Sequence, residues 1–213
     1  GIRILVSLLM TISSQAPPSV TCSGNLVSVG VLRVTGMEPD QGVVMAEDTK
    51  NFAAWMRAAD IQSSVSRCAD LFNCGVFNPS SSAGVLFESA VTLLLVHLND
   101  LLQKAKLDGQ RIDFADDMEV TEAMVDVTDL VRACRNAACH VTSGEHKIDS
   151  GKFTFCVTSG YGPNAFVING QEMGCDYADD IAIYYGRNRI YLKRHLLRSF
   201  ELVAQIYRNE GSW

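Results

Sequence analysis

Thr121-Glu-Ala-Met-Val-Asp-Val-Thr-Asp-Leu-Val-Arg-Ala-Cys-Arg-Asn-Ala-Ala-Cys-His-Val-Thr142 places apolar side chains at Ala123, Met124, Val127, Leu130, Val131, Cys134, Ala137, Ala138 and Val141. Steps of three and four predict an amphipathic helix over this stretch. At about 100° per residue, the positions from Val127 onward fill one arc of about 120°. Only Val125, Ala133 and Cys139 fall outside the pattern. Asp129, Arg132, Asn136 and His140 occupy the opposite side, and Arg135 stands at the edge of that polar arc. On a regular helix Arg135 and His140 are about 140° apart, too far to meet on one phosphate. A second copy of the helix across a twofold axis would bring them together.

Arg135-Asn136-Ala-Ala-Cys139-His140 is where chemistry concentrates. Arginine is permanently charged and grips phosphate with a fork of donors. Histidine exchanges a proton near neutral pH. Together they suffice to cut RNA without a metal. The plainer reading is a helix that is simply wet on this side.

Outward from this helix, the chain reads as helical and then β-rich. A first helix is predicted from Glu47-Asp48-Thr49, through Phe52, Trp55, Met56 and Ala59, towards Phe72. Ile61-Gln-Ser-Ser-Val65 either continues or breaks it. Asn78-Pro79 to Gly84 reads as a loop. Val85–Lys106 is a second helix, apolar nearly all round at Ala90–Leu98 and so buried on several sides. Gly109 ends it as a C′ glycine. Glu88 reads as a first-turn carboxylate or as a group orienting Arg135. His97 reads as a hydrogen-bonded core residue. Asp116, Asp117 and Glu119 are expected to favour the start of the next helix. Glu122 and Asp126, with Asp129, form either a weak divalent-metal set or a solvated acidic face.

Downstream, Phe153–Val157 and Ala165–Ile168 are predicted strands around a Gly160-Tyr-Gly-Pro163 turn. Asp180–Tyr185, Gly186-Arg-Asn188 and Arg189–Leu192 predict a hairpin feeding a last helix, with Leu196, Leu197, Phe200, Val203, Ala204 and Tyr207 inward. His146 and His195 read as surface residues. Leu26–Val34 reads as a strand.

The motif and its flanks resemble the HEPN superfamily, mostly dimeric helical RNases and toxins of prokaryotic conflict systems. The likeness spans residues 45–210. It includes the long apolar helix Leu86–Leu107, then Gly109-Gln-Arg-Ile-Asp-Phe-Ala-Asp-Asp117, then the motif helix. A β-rich insert and Asp176-Tyr-Ala-Asp-Asp-Ile-Ala-Ile-Tyr-Tyr-Gly186 follow, before a basic final helix. This order is similar to a HEPN family first described from a resistance plasmid. The resemblance implies a mostly α, α+β protein: a HEPN-like helical bundle with a small β-rich insert before the last helix. It implies that Arg135 stabilises a phosphorane, His140 acts as general acid/base and Asn136 orients one of them or the phosphate. The substrate's 2′-hydroxyl would attack and leave a 2′,3′-cyclic phosphate, with no metal or other cofactor. It further implies a homodimer with a composite active site, RNA as substrate, and an antitoxin as a possible partner for a toxin or phage-defence effector. The alternative is a catalytically idle module that binds RNA, a nucleotide or a protein. A third reading is a helical dimerising scaffold in which the motif is accidental.

Composition sets the outer bounds. With 47% apolar and 20% charged residues, the 213-residue chain can bury a sizeable core. Residues 45–213 read as the helical domain, and 1–44 as an extension that forms a strand or a tail. Ile4–Ile12 is a nine-residue apolar run preceded by Arg3, read as strand, tail or remnant rather than secretory signal. No apolar run reaches 18 residues without charge, so no membrane span is expected. Seven cysteines without tight metal-site spacing suit a reduced, cytoplasmic protein. The net charge of −6 argues against indiscriminate coating of nucleic acid. Residues 187–213 nevertheless carry +4 against −10 in the rest. Arg132, Arg187, Arg189, Lys193 and Arg194 are therefore the candidate RNA-backbone contacts, if they do not simply dress an exposed face. There is no GxSxG elbow, Walker loop, HExxH or GxGxxG fingerprint.

Overall fold

Val85–Leu107 (α2) forms the spine of the main unit, because one stripe of it is apolar for its whole length. Phe87, Val91, Leu94, Leu95, Leu98, Leu101, Leu102 and Ala105 are all fully buried. Each of these side chains larger than alanine contributes about 1.5–3 kcal/mol when removed from water. The opposite stripe is not buried: Val85, Leu86 and Leu93 remain exposed, so burial all round does not hold. His97 is half-buried rather than in the core, and burial together with Arg67 pushes its imidazole below the ordinary range. Asp108 and Gly109 close the helix, Gly109 with φ of 78° as the C′ position requires. Among the described residues α2 is the one helix long and apolar enough to cross a membrane. Here its apolar stripe is the core.

The computed structural model describes residues 5–6, 42–80, 82, 84–140, 147–148, 151–152, 155–168 and 170–210. Cys22, the strand expected at Leu26–Val34, the Ser143-Gly144 turn and His146 lie outside them. Two compact units divide the chain: Leu8–Arg57, and Gly1–Ser7 with Ala58–Trp213. In the first, the described residues are helical, and Phe52 stacks on Trp55 at 6.0 Å. That helix, Gly42–Asn73 (α1), is unbroken at Ile61–Val65. In the second unit its Ile61 and Cys68 enter the core. Ser64 donates to Asp100 at 3.2 Å, and Lys104 bridges Asp60 and Asp100.

Val127–Cys139 (α3) is shorter than its periodicity predicts at both ends. Asp126 is the N-cap and its Oδ1 accepts from Asp129 N at 3.1 Å. Thr121 and Met124 instead bond each other's backbones in a tight turn. The acids at Asp116, Asp117 and Glu119 therefore lie well before the helix and do not start it. They belong to the connection from Gln110 to Asp126. That connection is tied to α3 by Val127 N donating to Phe114 O and by Thr128 Oγ1 donating to Ile112 O. Asp117 sits there with φ of 60°, a left-handed conformation that aspartate tolerates.

The β-rich segment is an antiparallel sheet with a hairpin on its far side. Leu5–Val6 (β1), Cys156–Ser159 (β4), Ile181–Tyr185 (β7) and Asn188–Tyr191 (β8) form one sheet in the order β1-β4-β7-β8. Lys147–Ile148 (β2) pairs with Gly151–Lys152 (β3), and Gly162–Ile168 (β5) with Gln171–Cys175 (β6). The strand expected at Phe153–Val157 begins at Cys156, with Phe153 and Thr154 outside the described residues. Gly162-Pro163 belongs to a strand, not to the turn before it, and β6 is unforeseen.

Every residue of β7 is buried, and alternation explains why. Ile181, Ile183 and Tyr185 join the helical core, while Ala182 and Tyr184 join Met173 and Cys175 beneath the β5–β6 hairpin. The fold is thus mixed α+β, with helices on one face of the sheet and the hairpin on the other.

The last helix, Arg198–Glu210 (α4), is preceded by a π-helical turn over Leu192–Leu197. Asp180, fully buried, caps that turn. Its carboxylate accepts from Lys193 N at 2.9 Å, Arg194 N at 3.1 Å and Arg194 Nη1 at 3.1 Å. His195, expected at the surface, is completely buried. Its Nδ1 accepts from Tyr191 N at 3.0 Å, and its Nε2 faces Asp116 O at 2.9 Å. A guanidinium has only donors to offer, so imidazole serves where one group must both accept and donate.

Candidate functional site

The end of α3 is built by the way the helix stops. His140 N still donates to Asn136 O at 2.9 Å, but the residue itself is extended, with φ −121° and ψ 102°. Leaving the helix swings the imidazole back along the polar face. Arg135 Nη1 then lies 3.3 Å from His140 Nε2 and donates to Asn136 Oδ1 at 3.1 Å. The 140° separation expected on a regular helix is therefore overturned, because His140 is not in one. Arg135 and His140 meet within a single chain. A guanidinium cannot accept, so Nε2 is the acceptor in this contact.

Charge balance distinguishes Arg135 from the other arginines near it. Arg111, Arg132, Arg189, Arg194 and Arg198 each pair with an aspartate. Arg135 is half-buried and has no carboxylate partner among the described residues. Its Nε is shielded from solvent and makes no hydrogen bond. A buried donor left unmade costs about 1–3 kcal/mol. Asn136 is half-buried and His140 exposed, so the cluster opens to solvent on one side. Glu88 lies in the first turn of α2 and makes no ion pair with Arg135.

The acids before and within α3 are committed elsewhere. Arg111 reaches Asp126 through Nε and Nη2, the latter at 2.8 Å, and Asp129 at 2.7 Å. These bonds hold Arg111 above its ordinary range, that to Asp126 foremost. Arg132 Nη2 adds a 3.1 Å contact to Asp129. Asp126 and Asp129 thus cap and anchor α3, and neither is an open metal ligand. Among the described residues no cluster of metal-binding side chains occurs.

The candidate RNA contacts separate into two groups. Arg132, Asn136 and Arg187 line one cavity of about 440 Å³, with Glu119 and Asn188. Arg187 and Arg189 also line an adjoining cavity of about 170 Å³. Lys193 and Arg194 line neither. Lys193 pairs with Asp179 at 3.8 Å, and Arg194 pairs with Asp179 and Asp180 while its guanidinium covers the Tyr177 ring at 3.4 Å. The basic stretch before and into α4 is mostly neutralised by aspartates from the preceding loops.

Two parts of the site escape a reading by residue type. Arg111 stands in the stretch after Gly109, and nothing in its neighbours announces two carboxylate partners 15 and 18 residues later. Asn188 reaches the cavity through the pairing of β7 with β8, which carries the hairpin tip to α3, and Glu119 through the course of the Gln110–Asp126 connection. Compared with protein-family models, with curated proteins and with solved structures, the chain matches none.

Proposed function

We propose that the protein is a metal-independent endoribonuclease of the HEPN type, acting as a toxin or phage-defence effector in the cytoplasm. The observation carrying this reading is the half-buried Arg135, bonded to an amide oxygen and an imidazole nitrogen and balanced by no described carboxylate. A phosphodiester supplies the missing negative charge.

In the reaction, the Arg135 guanidinium turns to the phosphate and frees His140 Nε2, which accepts the proton of the 2′-hydroxyl as the O2′–P bond forms. Arg135 neutralises the charge growing on the equatorial oxygens, and Asn136 holds Arg135 in place. The P–O5′ bond then breaks, leaving a 2′,3′-cyclic phosphate and a 5′-hydroxyl. One imidazole cannot be base and acid in the same step. A homodimer answers this by supplying a second His140 to protonate the 5′-oxygen. An antitoxin that covers the cluster would keep such an enzyme silent.

The test is cleavage of RNA by the pure protein in EDTA. Cleavage that persists there and vanishes in Arg135→Ala supports the reading, and its absence at high enzyme concentration removes it. The polar cavity beside Asn136 favours one second reading, an idle HEPN module that binds RNA or a nucleotide. Salt-sensitive binding without cleavage selects it.

A further inference from the structure

We infer that the cavity beside Asn136 is a subsite for one nucleoside unit, and that it prefers a base carrying an amino group over uracil. The inference rests on the RNA-cleaving reading only for placing a scissile phosphate next to it. The cavity lies between the polar face of α3, the turn at Thr121–Met124 and the tip of the β7–β8 hairpin. At about 440 Å³ it is of the size of small-ligand pockets in general, which run from about 300 to 1,000 Å³.

Its lining argues for a base rather than for a bare phosphate chain. Asp129 is already bound by Arg111 and Arg132, so two of the charged groups cancel. Glu119 and Arg187 add one charge of each sign to the lining, a balance that does not favour an oligophosphate but suits a nucleoside with one phosphodiester. Glu119 is exposed and makes no ion pair among the described residues. A carboxylate accepts hydrogen bonds and offers none, so it rewards an N–H-bearing base edge. Uracil has no exocyclic amino group there, and its single N3–H is flanked by two carbonyl oxygens that a carboxylate repels. Asn188 adds an amide, and Met124 and Ala133 give an apolar floor for the ring. Asn136 links this site to the proposed chemistry. Its Oδ1 is taken by Arg135, so its NH₂ is the part of the amide left to donate to a ligand.

The experiment is calorimetric titration of the full chain with 5′-GMP, AMP, CMP and UMP and with dinucleoside monophosphates. It uses the wild type, His140→Ala, Glu119→Gln, Arg187→Ala and Ala123→Phe, the last filling the cavity from an exposed turn. We expect UMP to bind about tenfold more weakly than the best of the other three, in the wild type and in His140→Ala alike, the latter keeping dinucleoside ligands intact. Glu119→Gln should erase most of that difference, and Arg187→Ala and Ala123→Phe should weaken all ligands about tenfold. A dinucleoside should exceed its mononucleotides, and if it does not, a strand is not the ligand. UMP equal to the others, or Ala123→Phe and Arg187→Ala binding as wild type, overturns the subsite. Nucleotide binding without RNA cleavage would leave the subsite standing and remove the nuclease. Cleavage indifferent to Ala123→Phe and Arg187→Ala would do the reverse.

Discussion

Arg135 Nη1 and His140 Nε2 are 3.3 Å apart because the helix that carries the arginine ends one residue before the histidine. A fixed cation and a proton carrier meet there with solvent on one side. If they act on RNA, His140→Ala should lower the cleavage rate by about 10²–10⁴-fold, as loss of a positioned acid/base group does. Arg135→Lys should fall nearly as far, since an ammonium lacks the planar fork that holds Asn136 and phosphate together. Single-turnover cleavage of a labelled RNA measures both. A His140→Ala protein as active as wild type would remove the histidine from the mechanism.

The same arginine predicts an opposite effect on stability. Arg135 keeps a shielded Nε–H without an acceptor and a charge without a described counter-charge. Arg135→Met retains the apolar stem and discards both penalties, so it should raise stability by about 1 kcal/mol while abolishing activity. Denaturant melts of the two proteins side by side decide it. A destabilised Arg135→Met would mean that the guanidinium is structural.

Arg111 is the reverse case. Its guanidinium stands between Asp126 and Asp129, whose side chains are 4% and 10% exposed. Removing it leaves the buried Asp126 without an ionic partner and Asp129 with Arg132 alone, the two carboxylates repelling each other at the start of α3. Arg111→Met should lower stability by about 3 kcal/mol, the usual scale for breaking a buried pair. Changing Asp126 and Asp129 to asparagine in the same protein should restore part of the loss. Urea midpoints across this cycle supply the check.

How much of this was legible in the sequence depends on distance along the chain. α2, its glycine stop at Gly109 and the β7–β8 hairpin follow from periodicity and turn chemistry, which act within a few residues. The buried arc of α3 is equally local. Its ends were misread because a period says nothing about where a cap competes with it, and Asp126 caps inside the periodic stretch. The meeting of Arg135 with His140 depends on that same boundary. His195 was taken for surface because its sequence neighbours are basic. Only the π-turn and the Gln110–Asp126 connection, 79 residues earlier at Asp116, enclose it. The pairing of Arg194 and Arg198 with acids from other loops was hidden for the same reason.

Enclosure of His195 has a consequence in pH. Burial pushes its imidazole below the ordinary value, and the neutral ring both accepts from Tyr191 N and meets Asp116 O. Because the folded pKa is depressed, the unfolded chain binds the proton first as pH falls. Stability is therefore whole above about pH 6.5 and declines as pH drops from there towards the folded pKa. His195→Asn, which keeps an acceptor for Tyr191 N without titrating, should flatten the melting temperature over that window. The charged groups around the ring, Asp116, Asp117, Asp180 and Arg189, remain in both proteins, so the difference between the two curves isolates the histidine. Parallel curves from pH 7 to pH 5 would exclude the assignment.

Gly174 offers the sharpest test of how the β5–β6 hairpin sits on the sheet. A Cβ built there would run into Gly162 O and lie 2.5 Å from Pro163 O, both backbone atoms of β5 that cannot rotate away. On its other side, Tyr184 Oη accepts from Gly174 N at 2.8 Å and donates to Gly174 O at 2.6 Å. The backbone at Gly174 is thus gripped between a bulged strand and a tyrosine from β7. Gly174→Ala must open the β5–β6 pairing, and it should destabilise by several kcal/mol or prevent folding, whereas alanine at an ordinary strand position costs far less. Tyr184→Phe loses the two hydrogen bonds to Gly174 and the contact with Arg189, about 1–3 kcal/mol, and should still fold. Amide exchange of the hairpin in Tyr184→Phe reads the grip directly: Gly174 N–H should lose protection while the β7–β8 amides keep theirs. An unperturbed Gly174→Ala protein would mean that β5 and β6 are not in this register.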